Sequence, residues 1–464
     1  MLRLLKQYFP VRNMVFVLFE GGIIFAVFLL SAALVTISPS YFFDTMLVLR
    51  VILITMICQL CLYYNDLYNF EVVKSVPEIT IRLLQSLGIA SILLALIYFI
   101  FPLAVIDQVV FVLSIVLLLL FIIGWRIAYL TVLNRGIFNQ RIVMIGSSDL
   151  AVDIVNTIQT TLDCGYRIKA IYPDSDAFSK QKVYARGLTF NYNLDTLCET
   201  ALSAGVKKII TVMTEQRGSF PMKQLIDCRT RGLDVIDGCS FYEELTGKVL
   251  VQKINPSWLV FSEGFRKSRT RNVLKRMEDI AGSFLLLVLL SPLLAVVSIL
   301  IKLDSKGPVL FSQDRVGKNR KEFMMHKFRS MIQDAEKSTG PVWAEEEDPR
   351  ITRVGKIIRK FRIDELPQLW DVFRGRMSLV GPRPERKHFT DQLEKEIPFY
   401  SQRFLVKPGI TGWAQISYDY GATVEDAVEK LNYELFYIKN MSFVFDIVIM
   451  IRTLKTVLFG KGAR

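Results

Sequence analysis

The stretch QVVFVLSIVLLLLFIIGWRIAYLTVLNRGIFNQRIVMIGSSDLA, residues 108–151, changes character in its middle. Up to Leu130 it is apolar on every side and carries one charge, Arg126, which is the composition of a helix that crosses a bilayer. From Arg141 it becomes a short apolar strand, RIVMI, that runs into a glycine turn and an amphipathic helix. One chain therefore carries a membrane part and a soluble α/β part.

Towards the N-terminus three more apolar runs reach spanning length: Met14 to Ile37, Met46 to Tyr64 and Ile81 to Phe101. Over all 464 residues, 52% are hydrophobic, 22% are charged and the mean hydropathy is +0.35, which excludes a disordered or fibrous chain and an ordinary soluble enzyme. Lysine and arginine precede the first run (Arg3, Lys6, Arg12), separate the second from the third (Lys74, Arg82) and come after the fourth (Arg126, Arg135, Arg141), whereas the other two loops have none. By the positive-inside rule both ends of this four-helix unit, and the chain beyond Leu133, face the cytoplasm. Glu20 and Arg50 lie within runs and read as an interhelical pair or as side chains snorkelling to the interface. Cys58 and Cys61 form a CxxC inside an apolar run with no other ligands near in sequence, so they read as reduced structural thiols.

The net charge is +13, and 12 of those charges fall after residue 130. The basic excess suits lipid headgroups and phosphates, and scattered cysteines with only two histidines speak against a Cys/His zinc site. From Arg141 strands and helices alternate: RIVMIGSS, a helical DLAVDIVNTIQTTL, YRIKAIYP, then KKIITVM and LDVIDG. That order predicts a parallel, doubly wound, Rossmann-like sheet. Its first turn, Gly146-Ser-Ser148-Asp-Leu-Ala151, has serine where the dinucleotide fingerprint places its second glycine. Asp174 comes after the second strand at the position of a ribose-binding acid, but the broken turn favours a structural or regulatory domain.

A fifth apolar run, Ile280 to Leu303, has Ser291-Pro292 at its middle. Six basic residues in eleven positions precede it (Arg266, Lys267, Arg269, Arg271, Lys275, Arg276) and Lys302 lies at its far end, so both ends favour the same face. A re-entrant hairpin over 280–303 is expected, with proline bending the helix.

The chemistry concentrates in GKIIRKFRIDELPQLWDVFRGRMSLVGPRP, residues 355–384. Arg353, Lys356, Arg359, Lys360 and Arg362 stand before Asp364-Glu365, and Arg374, Arg376, Arg383 and Arg386 after it. Carboxylates among so many cations are expected to keep low pKa values, which suits a nucleophile or a Mg²⁺ ligand, and the arginine forks suit phosphate oxygens. The other acidic pairs, Glu243-Glu244, Glu278-Asp279 and Glu425-Asp426, read as solvated faces.

With the Lys/Arg run and Ser291-Pro292, the segments Gln313-Asp-Arg315-Val-Gly317, His326-Lys327-Phe-Arg329-Ser-Met331, Asp364-Glu365-Leu-Pro367-Gln368-Leu and Ser378-Leu-Val-Gly381-Pro382-Arg383-Pro384 occur in an order that resembles the bacterial polyprenyl-phosphate phosphoglycosyl transferases of the monotopic type, long form. The resemblance implies a membrane α/β protein: a four-helix transmembrane bundle over 1–133, a Rossmann-like, degenerate nucleotide-binding domain over 134–262, and a mostly α catalytic domain over 263–464 with the re-entrant helix 280–303 and interfacial amphipathic helices, among them the run from Phe443 to Phe459. It implies transfer of a sugar 1-phosphate from a UDP-sugar to polyprenyl (undecaprenyl) phosphate, releasing UMP through a covalent Asp364-phosphosugar intermediate. It further implies that Glu365, with Asp364, holds Mg²⁺, and that Lys327, Arg359 and Arg383 bind phosphate or nucleotide. Gln313 and Arg315 match a motif of the family that assigns them no separate roles, and Ser291 and Pro292 set the membrane bend. Membrane lipid and a second copy in a homodimer are the implied partners, with the site on the cytoplasmic face of a bacterial inner membrane.

Two other readings compete. A membrane-anchored nucleotide-sugar dehydratase would need the intact glycine fingerprint and a Tyr-x-x-x-Lys pair, and no tyrosine here has lysine four residues later. A non-catalytic scaffold for polysaccharide assembly would need a degenerate Asp364-Glu365 site, whereas the acids, arginines and Pro-Arg-Pro are all present. Nucleic-acid binding has only the net charge behind it.

Overall fold

The computed structural model describes residues 11–35, 45–68, 75–134, 139–161, 164–173, 189–213, 220–254, 268–332, 350–418 and 423–458, with a few single positions between them. Arg3, Lys6, Lys74, Arg135, Asp174, Arg266 and Lys267 lie outside the described residues. The chain divides into two compact units, Met1–Phe241 and Tyr242–Arg464.

The first unit begins with four long helices, α1 (Val11–Val35), α2 (Thr45–Tyr64), α3 (Val76–Ile100) and α4 (Gln108–Asn134). Each is long and apolar enough to cross a membrane. They share one buried cluster that includes Ile24 and Phe28 of α1, Ile54 and Leu62 of α2, Leu83 and Leu94 of α3, and Leu118 and Ile122 of α4. Cys58 and Cys61 are buried in that cluster, as inert thiols would be. Leu18, Ile92 and Leu120 are exposed, which is stable only where lipid replaces water.

Burial leaves two charges inside this unit. Glu20 pairs with Arg126, whose Nη2 lies 2.9 Å from Glu20 Oε2, and Arg126 also donates to the Leu67 carbonyl. Phe16 and Tyr68 present ring faces to the guanidinium. The partner of Glu20 is thus Arg126, which the charge pattern counts only as a cytoplasmic end marker. Arg50 instead donates to the Leu103 carbonyl at 2.9 Å.

After α4 come β1 (Gln140–Ile145), α5 (Asp149–Thr160), β2 (Tyr166–Tyr172), β3 (Thr189–Phe190), α6 (Leu197–Ser203), β4 (Lys208–Thr211), α7 (Met222–Thr230) and β5 (Asp234–Asp237). The strands form one parallel sheet in the order β3-β2-β1-β4-β5, the doubly wound arrangement that the alternation predicts. Gly146 ends β1 with φ +113°, and a Cβ there would lie 2.6 Å from the Met213 amide nitrogen, so only glycine fits. Ser148 Oγ donates to the Val212 carbonyl at 2.6 Å, so this side chain ties the ends of β1 and β4 together.

The second unit takes in residues from Tyr242, earlier than the expected boundary at 263. The Val249 amide donates to the Asn432 carbonyl, Trp413 Nε1 donates to the Gly247 carbonyl, and Lys439 pairs with Glu243. Glu243 is buried by that contact, so its acidic pair is no solvated face.

One continuous 36-residue helix comes next, α9 (Arg269–Asp304; α8 is Gly238–Thr246), and Pro292 lies inside it. Proline denies the Val288 carbonyl its usual amide partner, and Ser291 Oγ supplies a donor at 2.8 Å. Near one end Arg276 donates to the Val372 and Phe373 carbonyls, and Asp279, fully buried, accepts from Ser378 Oγ and the Leu379 amide. Glu278-Asp279 is therefore an anchor, a correction to the solvated reading. Near the other end Val297 and Ile301 pack with Phe328 and Ile358, and Asp304 accepts from the Val354 amide. Phe284, Leu285, Val288, Leu289 and Val296 between them are exposed.

The remainder is less helical than expected. β6 (Leu310–Val316) and β7 (Glu322–Phe328) form an antiparallel hairpin, and β8 (Ser378–Val380) pairs in parallel with β9 (Gly409–Thr411). Helices α10 (Arg353–Lys360), α11 (Gln368–Phe373), α12 (Lys387–Glu396), α13 (Trp413–Ser417), α14 (Val424–Asn440) and α15 (Phe443–Leu458) complete it. Thr423 and Asp426 form a capping box at the start of α14, which explains why this acidic pair sits where it does.

Replacing Arg126 by leucine strands the Glu20 carboxylate and should destabilise the first unit by about 3–5 kcal/mol. In denaturant unfolding of the detergent-solubilised protein, the double variant Glu20→Leu/Arg126→Leu should recover most of that loss.

Candidate active site

The hinge of the site is a backbone reversal. Helix α10 stops at Phe361, Arg362 adopts a left-handed conformation with φ +53°, and a single 3-10 turn, Ile363–Glu365, carries both acids. A non-glycine residue in that region stores strain, which needs surrounding contacts to hold it. Pro367 then starts α11, so Asp364 and Glu365 sit on a rigid corner between two helices.

Glu365 is buried, and its Oε1 accepts from Lys327 Nζ at 2.8 Å and from Arg383 Nη2 at 3.0 Å. Arg362 Nη1 lies 3.9 Å from Oε2. Burial alone would push this carboxyl up, but Lys327, Arg383 and Arg362 together outweigh it and hold Glu365 well below the usual carboxylate range. Asp364 behaves differently. Burial first, and the adjacent Glu365 charge second, raise it to about 6 against the pull of Lys327, Arg359 and Arg383. The expectation of a low pKa holds for Glu365, to which Lys327 and Arg383 bond directly, and fails for Asp364, where burial and then the Glu365 charge outweigh the cations. At neutral pH Asp364 is still ionised, and the higher pKa marks a more basic oxygen.

At Glu365 lies a small cleft lined by Arg315, Met325, Lys327, Glu365, Gln368, Arg383, Pro384, Gly409 and Ile410. Four segments distant in sequence meet there: the β6–β7 hairpin, the acidic corner with the start of α11, the loop after β8, and β9. Arg315 Nη2 donates to Gln313 Oε1 at 2.6 Å and its Nη1 to the Pro384 carbonyl at 3.2 Å, so Gln313 steadies Arg315 from outside the lining. Lys327, Arg315 and Arg383 are thereby brought to the cleft, with Arg359 close enough to act on Asp364; Ser291 and Pro292 stay in the middle of α9.

Some contributors escape a sequence reading. Asp371, fully buried, accepts from the His326 amide at 3.0 Å and pairs with its ring Nδ1 at 2.9 Å, which fixes β7 on α11 and so aims Lys327. Gln368 lines the cleft three residues after Glu365, and Met325 lines it from the same face of β7 as Lys327. Helical spacing from the acids and strand alternation from Lys327 are the signals that point to these two. Nothing in one sequence points to Asp371 and His326 as partners. Trp413 is a core residue.

A family model described as bacterial sugar transferase matches residues 270–460, and one described as a CoA-binding domain matches residues 64–219. The UDP-glucose:undecaprenyl-phosphate glucose-1-phosphate transferase of Escherichia coli strain K12 is 32% identical over 344 residues, which cover 71% of this chain and 70% of that protein. The chain belongs to the bacterial sugar transferase family. An Aeromonas hydrophila UDP-N-acetylgalactosamine-undecaprenyl-phosphate N-acetylgalactosaminephosphotransferase is 46% identical over 222 residues, 48% of this chain and 52% of that one. The undecaprenyl-phosphate glucose phosphotransferase of Komagataeibacter xylinus is 33% identical over 332 residues, 70% of this chain and 60% of the relative. The matched parts thus span about half to three fifths of these last two relatives.

A coenzyme A diphosphate fits poorly at the turn after β1. Ser148 spends its hydroxyl on the Val212 carbonyl, and Asp149 places a carboxylate in the first turn of α5, where the helix would otherwise attract phosphate.

The raised pKa of Asp364 has a stability consequence with a definite sign. Its folded value, about 6, lies above the ordinary aspartate value of 3.8, so ionising it costs the folded state stability as pH rises from about 4 to 6. With EDTA present, Asp364→Asn should melt above wild type at pH 7.5, and that advantage should shrink steadily as the pH is lowered towards 4.

Proposed function

We propose that this membrane protein transfers a sugar 1-phosphate from a UDP-sugar to a polyprenyl phosphate such as undecaprenyl phosphate, releasing UMP. The observation that carries the reading is the Glu365 carboxylate locked between Lys327 and Arg383 beside an ionised, more basic Asp364 at an open cleft. An Asp364 oxygen attacks the β-phosphorus, the bond to the bridging oxygen breaks, and UMP leaves with that oxygen's electron pair. A phosphate oxygen of the polyprenyl acceptor then attacks the same phosphorus and expels the Asp364 carboxylate, giving a polyprenyl-diphosphate-sugar. Covalent catalysis suits a soluble donor and a lipid acceptor, because one small site serves them in turn.

Lys327 and Arg383 bind the diphosphate, Arg359 keeps Asp364 charged, and Arg315 lines the nucleotide side with Gln313 behind it. Asp364 and Glu365 would hold Mg²⁺, since their oxygens are the hard donors that ion takes. When bound, Mg²⁺ neutralises charge on the diphosphate and on the departing UMP.

The long helix α9 enters and leaves the bilayer by one face. Both of its ends are fastened to the same unit, to α11 and β8 on one side and to β7 and α10 on the other, while the side chains between are exposed for lipid. A bend at Ser291-Pro292 reconciles these contacts, and α1 to α4 form a four-helix transmembrane bundle that adds anchorage. The site faces the cytoplasm of a bacterial inner membrane, a placement that the positive charges flanking the spans favour. A homodimer is the simplest assembly, with C2 symmetry. The product feeds exopolysaccharide, capsule or O-antigen synthesis, the pathways that the family resemblance implies.

Purified protein with Mg²⁺ and polyprenyl phosphate should release UMP from one or more of a panel of UDP-sugars, and Asp364→Asn should abolish release. Release that survives this substitution removes Asp364 as nucleophile. The wild-type rate should fall as the pH drops through about 6, since protonated Asp364 is no nucleophile, and chelation by EDTA should stop turnover.

A further inference from the structure

Arg383 reaches Glu365 with its guanidinium, and its backbone belongs to a loop, Gly381 to Pro384, that leaves β8. Two prolines flank it, so Arg383 contributes the one backbone N–H available between positions 382 and 384. The Arg383 carbonyl accepts from Arg403 Nη2 at 2.9 Å, and the Arg383 N–H helps to stabilise the charge of Glu434 on α14. The Arg383 backbone is therefore tied to one ion pair, through its carbonyl above all.

The pair itself is built to stay in place. Arg403 Nε and Nη2 meet the two Glu434 oxygens at 2.9 and 2.8 Å, a bidentate fork, and Nη1 donates to the Tyr400 hydroxyl. Arg403, Glu434 and Tyr400 are 6%, 5% and 3% exposed. Arg403 also packs over the Tyr400 and Phe404 rings. No part of this assembly lines the cleft, and the sequence gives no reason to pair a residue in the 3-10 segment Tyr400–Leu405 with one in α14.

We propose that Arg403 and Glu434 are positioning residues for the donor diphosphate: they hold the Arg383 backbone so that its guanidinium reaches Glu365 and the phosphate beside it. The proposal rests on the reading of the cleft as a UDP-sugar site. Lysine at 403 keeps the charge but loses the fork, so the Arg383 peptide is released while the buried carboxylate stays neutralised. Glutamine at 434 keeps the shape and an oxygen acceptor but removes the charge that orients Arg403.

The test is a double-variant cycle on UMP release by the full chain in lipid nanodiscs, with Arg403→Lys, Glu434→Gln, Arg383→Ala and each combined with Arg383→Ala. Misplacing Arg383 should lower kcat/KM by roughly tenfold to a hundredfold, mainly through KM for the UDP-sugar, in both Arg403→Lys and Glu434→Gln. In the Arg383→Ala background the same changes should cost less than about twofold more, because the residue they act through is already gone. Losses that multiply in full across the two backgrounds overturn the proposal. So does an unfolded product from both Arg403→Lys and Glu434→Gln, which assigns the pair to stability alone. Absence of lipid-dependent UMP release from wild type is a separate outcome, and it overturns the reading of the site itself.

Discussion

A single buried carboxylate organises the catalytic unit. Glu365 collects a lysine from β7 and an arginine from the loop after β8, so the strand hairpin, the acidic corner and the Pro-Arg-Pro loop converge on one oxygen. Bringing an unpaired carboxylate out of water costs several kcal/mol, and pairing it with two cations offsets that cost only if all three segments hold their places. The surrounding structure does so with further buried polar anchors. Asp371 fixes β7 on α11, Asp279 fixes the start of β8 on α9, and the Arg403–Glu434 fork fixes its exit. The chemistry of Asp364 is a result of this arrangement, because burial and the ionised Glu365 beside it leave Asp364 with a more basic oxygen.

Much of this was legible in the chain. Four apolar runs of spanning length became α1 to α4, and alternating strands and helices after Arg141 became a parallel sheet, because hydrophobic period is a local property. The Asp364-Glu365 pair stood out through the arginines around it, and Lys327, Arg315 and Arg383 do reach its cleft. What escaped was non-local. Arg126 looked like an end marker because its partner is a glutamate in another helix, and Asp279 looked solvated because the β8 backbone that buries it lies about a hundred residues away. The β6–β7 hairpin was missed because both faces of its strands mix polar and apolar residues, which hides the strand period.

Polar groups also decide how the membrane parts are made. Pro292 removes one helix hydrogen bond in α9, and Ser291 answers with its hydroxyl, so the break is compensated by its neighbour and the helix remains continuous. In the first unit the aromatic rings of Phe16 and Tyr68 close around Arg126 and give it a partly polar surface within an apolar core.

The Glu20–Arg126 pair imposes an order on biogenesis. The two residues are 106 positions apart, so at about 5–20 residues per second the ribosome needs several seconds after making Glu20 before its partner exists. During that interval the first helix carries an acid with nothing in the bilayer to neutralise it, and it can settle only by staying at the insertion machinery or by picking up a proton. Arrival of the fourth helix ends the wait. The fourth helix is therefore the one that commits the first, and a nascent chain stopped before Arg126 is a natural target for membrane quality control.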